Sequence, residues 1–438
     1  MTCKKSYNFR IFVGPVEISG VAKGIVDGMQ ELGVEAKTQL SCRHPFKYEK
    51  DPNDWFIRCW QQLGALRIRQ SPKNLLLKVF FYIVHYLWGW LILLKSLREF
   101  NVFLFLFGQT MTNSEFELWL LKKLKKKIVF IYLGSDARPP YIDGSIFPGT
   151  IDAPLPSGKM IYGTTLAHKK RMKAHERYAD YLVNSPSTAH FHERPYIDWF
   201  CIGFPRDFQA THNEKERKNH LIRILHSPSN PSAKGTKFIV DLIENLKTRG
   251  YLVELIMIKG MPNSCVLEEL ASCDFVIDQV YSDTPLAGFA TEAAFFGKPA
   301  IVGGYFSVLT EDFIKKESIP PSLYVDPDEL EAAVLRLITD IDFRQTLGKR
   351  AQEFVTTRWC ARAVAERYLR LLQDDVPSHW WSDPNAVQYV DGCGLPRART
   401  QQLVKQLLMY GGVPALQLSD KPRLENAFID FARAAKEC

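Results

Sequence analysis

The stretch DFVIDQVYSDTPLAGFATEAAFFGKPAIVGG, from Asp274 to Gly304, decides how this chain folds. It opens on an apolar strand, Phe275 to Ile277, and crosses a loop of small and acidic residues. A helix from Phe289 to Phe296 follows, then the turn Gly297, Lys298, Pro299 and a second apolar strand, Ala300 to Val302. Strand, helix and strand in this order form a βαβ unit, which builds a parallel sheet wrapped by helices. Gly288, just before the helix, leaves backbone N–H groups free at its N-terminus, where a diphosphate can be received. Glu292 lies one turn further in, badly placed to touch phosphate and well placed to accept hydrogen bonds from a ribose diol. The expected grip therefore comprises Gly288, Phe289, Ala290, Thr291 and Glu292.

The alternation extends outward from this segment. Upstream stand the strand Ile222 to Leu225, the helix Thr236 to Lys247, the strand Leu252 to Ile258 and the helix Ser264 to Leu270. Downstream come helical patterns at Pro327 to Thr339, Ile341 to Thr356 and Ala361 to Leu372. The loop of the first unit, in RILHSPSNPSAKGT from Arg223 to Thr236, carries Lys234 before Gly235. A fixed ammonium there stabilises negative charge gathering on a leaving diphosphate. His226, at the strand end, and Ser229, in the loop, are further candidates for contact with the nucleotide.

A similar rhythm fills the first half. Phe9 to Val13, Val102 to Phe107, Ile128 to Leu133 and Tyr181 to Val183 read as strands; Val21 to Leu32, Glu115 to Leu124 and Leu166 to Tyr178 read as helices. GPVEISG follows the first strand and precedes a helix, and its Gly14 and Gly20 are further candidates for contact with the nucleotide. Gly134 to Gly163 is too long for a connector, and loops of that size carry function. In it GSDAR offers Asp136, either a ligand for sugar hydroxyls or a turn cap, and Arg138, able to meet an acidic group. Two α/β domains in series place a ligand cleft between them, at the C-terminal ends of their strands.

The segments around Lys234 and Glu292 resemble the retaining family-four glycosyltransferases of GT-B fold. Glu292 matches the second glutamate of the family's Glu-x7-Glu pattern, followed here by Gly297, Lys298 and Pro299; Thr284 stands where the first glutamate falls. Asp278, Gln279, Gly288 and Glu292 match a subgroup pattern. Lys234–Gly235 resembles the family's phosphate-binding pair, and Ser229 occupies the position of its usual arginine. The resemblance spans roughly residues 7 to 373 and implies an α/β GT-B fold with two doubly wound Rossmann-like domains facing across a cleft, plus extra C-terminal helices. It divides the chain into an acceptor domain (1–208), a linker (209–220), a donor domain (221–358), a returning helix (359–374) and an extension of open role (375–438). It implies transfer of a sugar from a nucleotide-diphosphate sugar to a glycan or lipid-linked acceptor, with retention, no metal and no separate cofactor. Asp136, Lys234 and Glu292 are then the candidates for the chemistry. A sugar-nucleotide epimerase of the same fold, or an inactive binding subunit, remain alternatives.

Composition sets the bounds. The 438 residues carry a formal charge of +8 and are 46% hydrophobic, the balance of a folded chain large enough for two cores. The basic run Lys122 to Lys127 reads as a solvated helix end, and no nucleic-acid partner is expected. Nine cysteines without a C-x-x-C pair suggest neither a disulfide framework nor a zinc site, and fit a reducing cytosol. His190, His192 and Glu193 sit on an expected outer helix, where i, i+2 positions share no face, so no metal is expected there. Leu75 to Leu94, LLLKVFFYIVHYLWGWLILL, has the length to cross a bilayer. Three readings stay open for it: a span, a buried or half-buried helix, or a helix lying in an anionic membrane interface between Lys73 and Arg98.

Overall fold

The computed structural model describes residues 8–43, 52–69, 74–206, 221–306 and 314–434. The expected linker, 209–220, lies outside the described residues.

In the first half, β1 (Arg10–Gly14), α1 (Val21–Glu31), β2 (Glu35–Thr38), α2 (Trp55–Arg69), α3 (Leu75–Glu99), β3 (Val102–Leu106), α4 (Glu115–Lys123), β4 (Lys127–Ile131), α5 (Gly158–Tyr178), β5 (Tyr181–Asn184), β6 (Tyr196–Asp198) and α6 (Trp199–Ile202) follow one another. In the second, β7 (Ile222–His226), α7 (Thr236–Thr248), β8 (Val253–Met257), α8 (Asn263–Ser272), β9 (Phe275–Gln279), α9 (Gly288–Phe295), β10 (Ala300–Gly303) and β11 (Leu323–Val325) form a second set. The strands make two sheets, ordered β12-β6-β5-β4-β3-β1-β2 and β11-β10-β9-β7-β8, where β12 is Trp381–Ser382. Every pairing is parallel except that of β12 with β6. Central strands such as VFLFL and FVIDQ are buried along their whole length, as strands covered by helices on both faces must be. This is the two-sheet GT-B architecture.

The chain returns to the first sheet through the helix Ala361–Leu372, which lies against α1. A Cβ on Gly28 would sit 2.9 Å from Ala365 Cβ, so glycine lets the two helices close up. The extension then adds β12 to the edge of the first sheet and packs the helix Arg397–Gly411 on α5, with Leu403, Val404 and Leu407 fully buried.

Three expectations are corrected. The long loop ends at Ser157, whose hydroxyl accepts from Met160 N at 3.3 Å and caps α5, eight residues before the expected start of that helix. His190 and His192 are not on an outer helix but buried behind β5. His192 Nδ1 lies 2.8 Å from Glu176 and its Nε2 2.9 Å from Asn184; His190 Nε2 lies 2.6 Å from Tyr389 O. The segment Leu75 to Leu94 belongs to α3, whose flanking strands β1 and β3 pair in register (Ile11 with Val102), so one crossing would tear a sheet in two. α3 is half-buried, with His85, Gly89, Ile92, Leu93 and Ser96 on its covered side. Only 17% of its most apolar window is covered, and two residues that interrupt its apolar run face inward: His85 stacks on Trp60 of α2 at 5.8 Å, and Gly89 meets Met111 O.

Candidate functional site

Strand order reverses at β1 in the first sheet and at β7 in the second, and the loops leaving these strands open toward each other. Between them lie two adjoining cavities of about 140 Å³ and about 240 Å³, which share Ser19, Lys234, Ala287 and Gly288.

The smaller cavity sits over the N-terminus of α9. Ala287 is the N-cap and its side chain accepts no N–H from the first turn, so the helix presents backbone donors to the cavity with its positive dipole end. Gly288 has a second reason to be glycine: a Cβ there would stand 2.8 Å from Ser19 Cβ of the first domain. Lys234 lines the cavity from the loop after β7, its Nζ 3.1 Å from Asp278 Oδ1. Gly235 caps α7 at φ +69°, and a Cβ on it would lie 2.6 Å from Val280, which is why Lys-Gly occurs as a pair here. Among the described residues, Lys234 is the one basic residue lining this cavity.

Glu292 lines the same cavity and is 4% exposed. Its Oε1 accepts from Arg206 Nη2 and, at 3.0 Å, from Asn263 Nδ2, which also reaches Oε2 at 3.1 Å. Burial pushes the carboxyl above its ordinary range, and Arg206 with Asn263 pulls it back toward the charged form. A carboxylate has about four lone-pair sites; these three bonds leave Oε2 able to accept another donor, such as a ribose hydroxyl. Arg206 lies at the end of the expected acceptor domain, three residues before the expected linker. It is 7% exposed and reaches Glu292 over Gly20, which stands at φ +80° with no room for a Cβ beside the guanidinium. Glu17 lies near the same guanidinium. It accepts from Ala22 N at 3.2 Å and Lys23 N at 3.0 Å, and burial raises its pKa to about 7 against those bonds and Arg206.

Thus the structure gathers Lys234, Gly288, Phe289, Glu292 and the exposed Ser229 on one cavity. Other expected contacts lie off its wall. Ala290 and Thr291 are buried on the inner side of α9, with Thr291 Oγ1 donating to Ala287 O at 2.9 Å. His226 is fully buried, Nδ1 2.8 Å from Ile277 O and Nε2 2.9 Å from Thr236 Oγ1, and burial lowers its pKa; both ring nitrogens are already engaged. Gly14 sits under Gln39 O at the end of β1, and Gly20 touches the site through Arg206. Asp136 folds back to accept Leu133 N at 3.0 Å, and burial raises its pKa to about 6; its neighbours Gly134 and Ser135 face the larger cavity instead. Arg138 is not open to an external acid. Its Nε is 2.6 Å from Asp283 of the second domain and its Nη1 2.9 Å from Asp143. Arg223 lies at the far end of β7, paired with Glu254 and Glu269.

Arg206, Asn263, Ser19 and Asp283 carried no sequence signal, since each acts across an interface between distant segments. Glycine at 20, just before a helix, was the one trace of Arg206.

No family model and no curated protein matches the chain. Solved structures similar to it include HepE of Anabaena in complex with UDP-glucose (12% identity, TM-score 0.47, covering 83% of this chain and 99% of that one). The catalytic domain of starch synthase IV from Arabidopsis thaliana, bound to ADP and acarbose, shows 11% identity and a TM-score of 0.49 over 84% of this chain and 99% of that one. MnaA of S. aureus with UDP shows 11% identity and a TM-score of 0.44 over 84% and 97%.

Proposed function

We propose that this protein is a glycosyltransferase using a nucleotide-diphosphate sugar. One observation carries the reading: a lysine, an uncapped helix N-terminus and a buried carboxylate with accepting capacity converge on a single cavity between two Rossmann-like domains. The ribose diol rests on Glu292 Oε2. The diphosphate rests on Lys234 and on the first N–H groups of α9, where lysine and dipole supply the positive potential that the leaving group needs without a metal. The acceptor enters from the first domain. In a retaining course the acceptor attacks on the face the diphosphate leaves, and the departing phosphate oxygen takes the acceptor proton. Lys234→Ala and Glu292→Gln should each raise the donor KM and lower kcat/KM by about tenfold or more, for about 1.4 kcal/mol of lost transition-state stabilisation or above. A thermal-shift panel of UDP-, GDP- and ADP-sugars on the wild type identifies the donor. Unchanged donor kinetics in both variants dismiss this site.

The setting we propose is the cytoplasmic face of an anionic membrane, in assembly of a cell-envelope polysaccharide or glycolipid. The support is the outer side of α3: Leu76 is 88% exposed, Phe80 56% and Leu87 57%, beside Ile68 of α2 at 67%. Arg69, Lys78 and Arg98 stand exposed among them. Apolar side chains flanked by cations bind an anionic bilayer surface. Sedimentation with phosphatidylglycerol vesicles should be strong at low salt and weak at high salt; no sedimentation at low salt refutes it.

A further inference from the structure

We propose that the larger cavity is an acceptor subsite for a neutral, hydroxyl-bearing group such as an uncharged sugar ring, and that the C-terminal extension builds its closing wall. The proposal rests on the donor reading of the smaller cavity. Because the two cavities share Ser19, Lys234, Ala287 and Gly288, a group in the larger one adjoins the sugar end of a donor whose phosphates lie on Lys234.

The lining sets the ligand class. Ser135, Ser145, Ser187, Thr188 and Gln279 are neutral residues that can donate and accept. Apart from Lys234 at the donor end, the charged residues on the wall are Arg138 and Asp283, and they are bound to each other. With Asp143, fully buried at 2.9 Å, the guanidinium faces two carboxylates, so the trio is left one negative charge. A uronate or phosphate ester placed here meets a cation already matched and net negative charge in a poorly screened wall. A neutral polyol meets neither obstacle.

The extension reaches this wall through Cys393. Its backbone is tied to the first domain, Cys393 N donating to Ile142 O at 2.9 Å and Gly144 N to Cys393 O at 2.8 Å. It is tied to the second by Gly394 N, donating to Tyr281 O at 2.7 Å. Gly394 has φ +69°, and a Cβ on it would stand 2.9 Å from that of Ala233, the residue before Lys234. The strap therefore spans both domains at the cavity. In the transfer, the bond from the donor's anomeric carbon to its phosphate oxygen breaks and a bond to the acceptor oxygen forms. The acceptor proton goes to the departing diphosphate, giving a glycoside and a nucleoside diphosphate.

The test uses the full-length protein and the nucleotide sugar giving the largest thermal shift. Acceptors are p-nitrophenyl glucoside and galactoside against p-nitrophenyl glucuronide and glucose 6-phosphate. Transfer to a neutral acceptor is expected, with kcat/KM at least about tenfold above that of the glucuronide. Cys393→Trp, which fills the cavity, should cut transfer by about tenfold or more and leave the nucleotide-sugar thermal shift unchanged. Asp283→Asn, isosteric and checked by its melting temperature, should narrow the neutral-to-anionic ratio by releasing part of Arg138; where it does not fold, Cys393→Trp decides. The proposal is overturned by nucleotide-sugar binding without transfer to any neutral acceptor, by equal or better use of the anionic ones, or by wild-type transfer in Cys393→Trp. Absence of a thermal shift with every nucleotide sugar instead sinks the donor reading itself, and is told apart by that readout.

Discussion

Replacing Arg206 by alanine strips a buried carboxylate of its cation. Glu292 is 4% exposed, so the charge left behind is not rescued by water. Removing one partner of a buried ion pair costs about 3–5 kcal/mol where the survivor stays charged. Here the survivor has a way out. Burial already raises the pKa of Glu292, and Arg206 is the first of the influences lowering it, so the variant's carboxyl titrates higher still. A group whose folded pKa is raised contributes stability at low pH and loses it as pH rises through that pKa. Glu17, raised to about 7 and likewise held down by Arg206, acts with the same sign. The deficit of Arg206→Ala in urea unfolding should therefore be about 3–5 kcal/mol near pH 8 and shrink by at least about 1.4 kcal/mol near pH 5.5, one pKa unit's worth. Adding Glu292→Gln to the variant should recover much of the loss near pH 8, because the orphaned charge is gone. A deficit below about 1 kcal/mol, or one that does not change with pH, refutes this account of the pair.

Other perturbations test the remaining contacts. Gly288→Ala drives a methyl group into Ser19 and should part the domains, seen as a larger radius of gyration in small-angle scattering, with Ser19→Gly restoring the wild-type value. Leu76→Glu with Phe80→Glu should abolish vesicle sedimentation and leave the melting temperature within a few degrees, since both side chains are more than half exposed. Ending the chain at Asp374 removes Leu403, Val404 and Leu407, bares the apolar surface of the first domain that they cover, and should yield aggregated protein in size-exclusion chromatography.

The elements with strong periodicity were legible from sequence nearly to the residue: Ala361–Leu372 and Glu115–Lys123 are amphipathic and apolar enough to declare themselves. Short edge strands were not. EAKT of β2 and the two-residue β12 gain their strand state from a neighbour, because a polar or very short segment carries no pattern of its own. The helix α2 also went unread, its sequence WFIRCWQQLGALRIR holding apolar residues on an inner and an outer side at once.

Sequence alone determined the alternation of strand and helix, hence two parallel sheets, and it wrote Lys234–Gly235 and Gly288 to Glu292 as local units, because backbone geometry at a helix start depends on residues close in the chain. Only the tertiary structure decided which distant charges meet: Arg206 with Glu292, Arg138 with Asp283, and Cys393 against the loop after β4. Those pairings span from 86 to about 250 positions, and they follow from how the sheets and the extension pack, which no short window of sequence encodes.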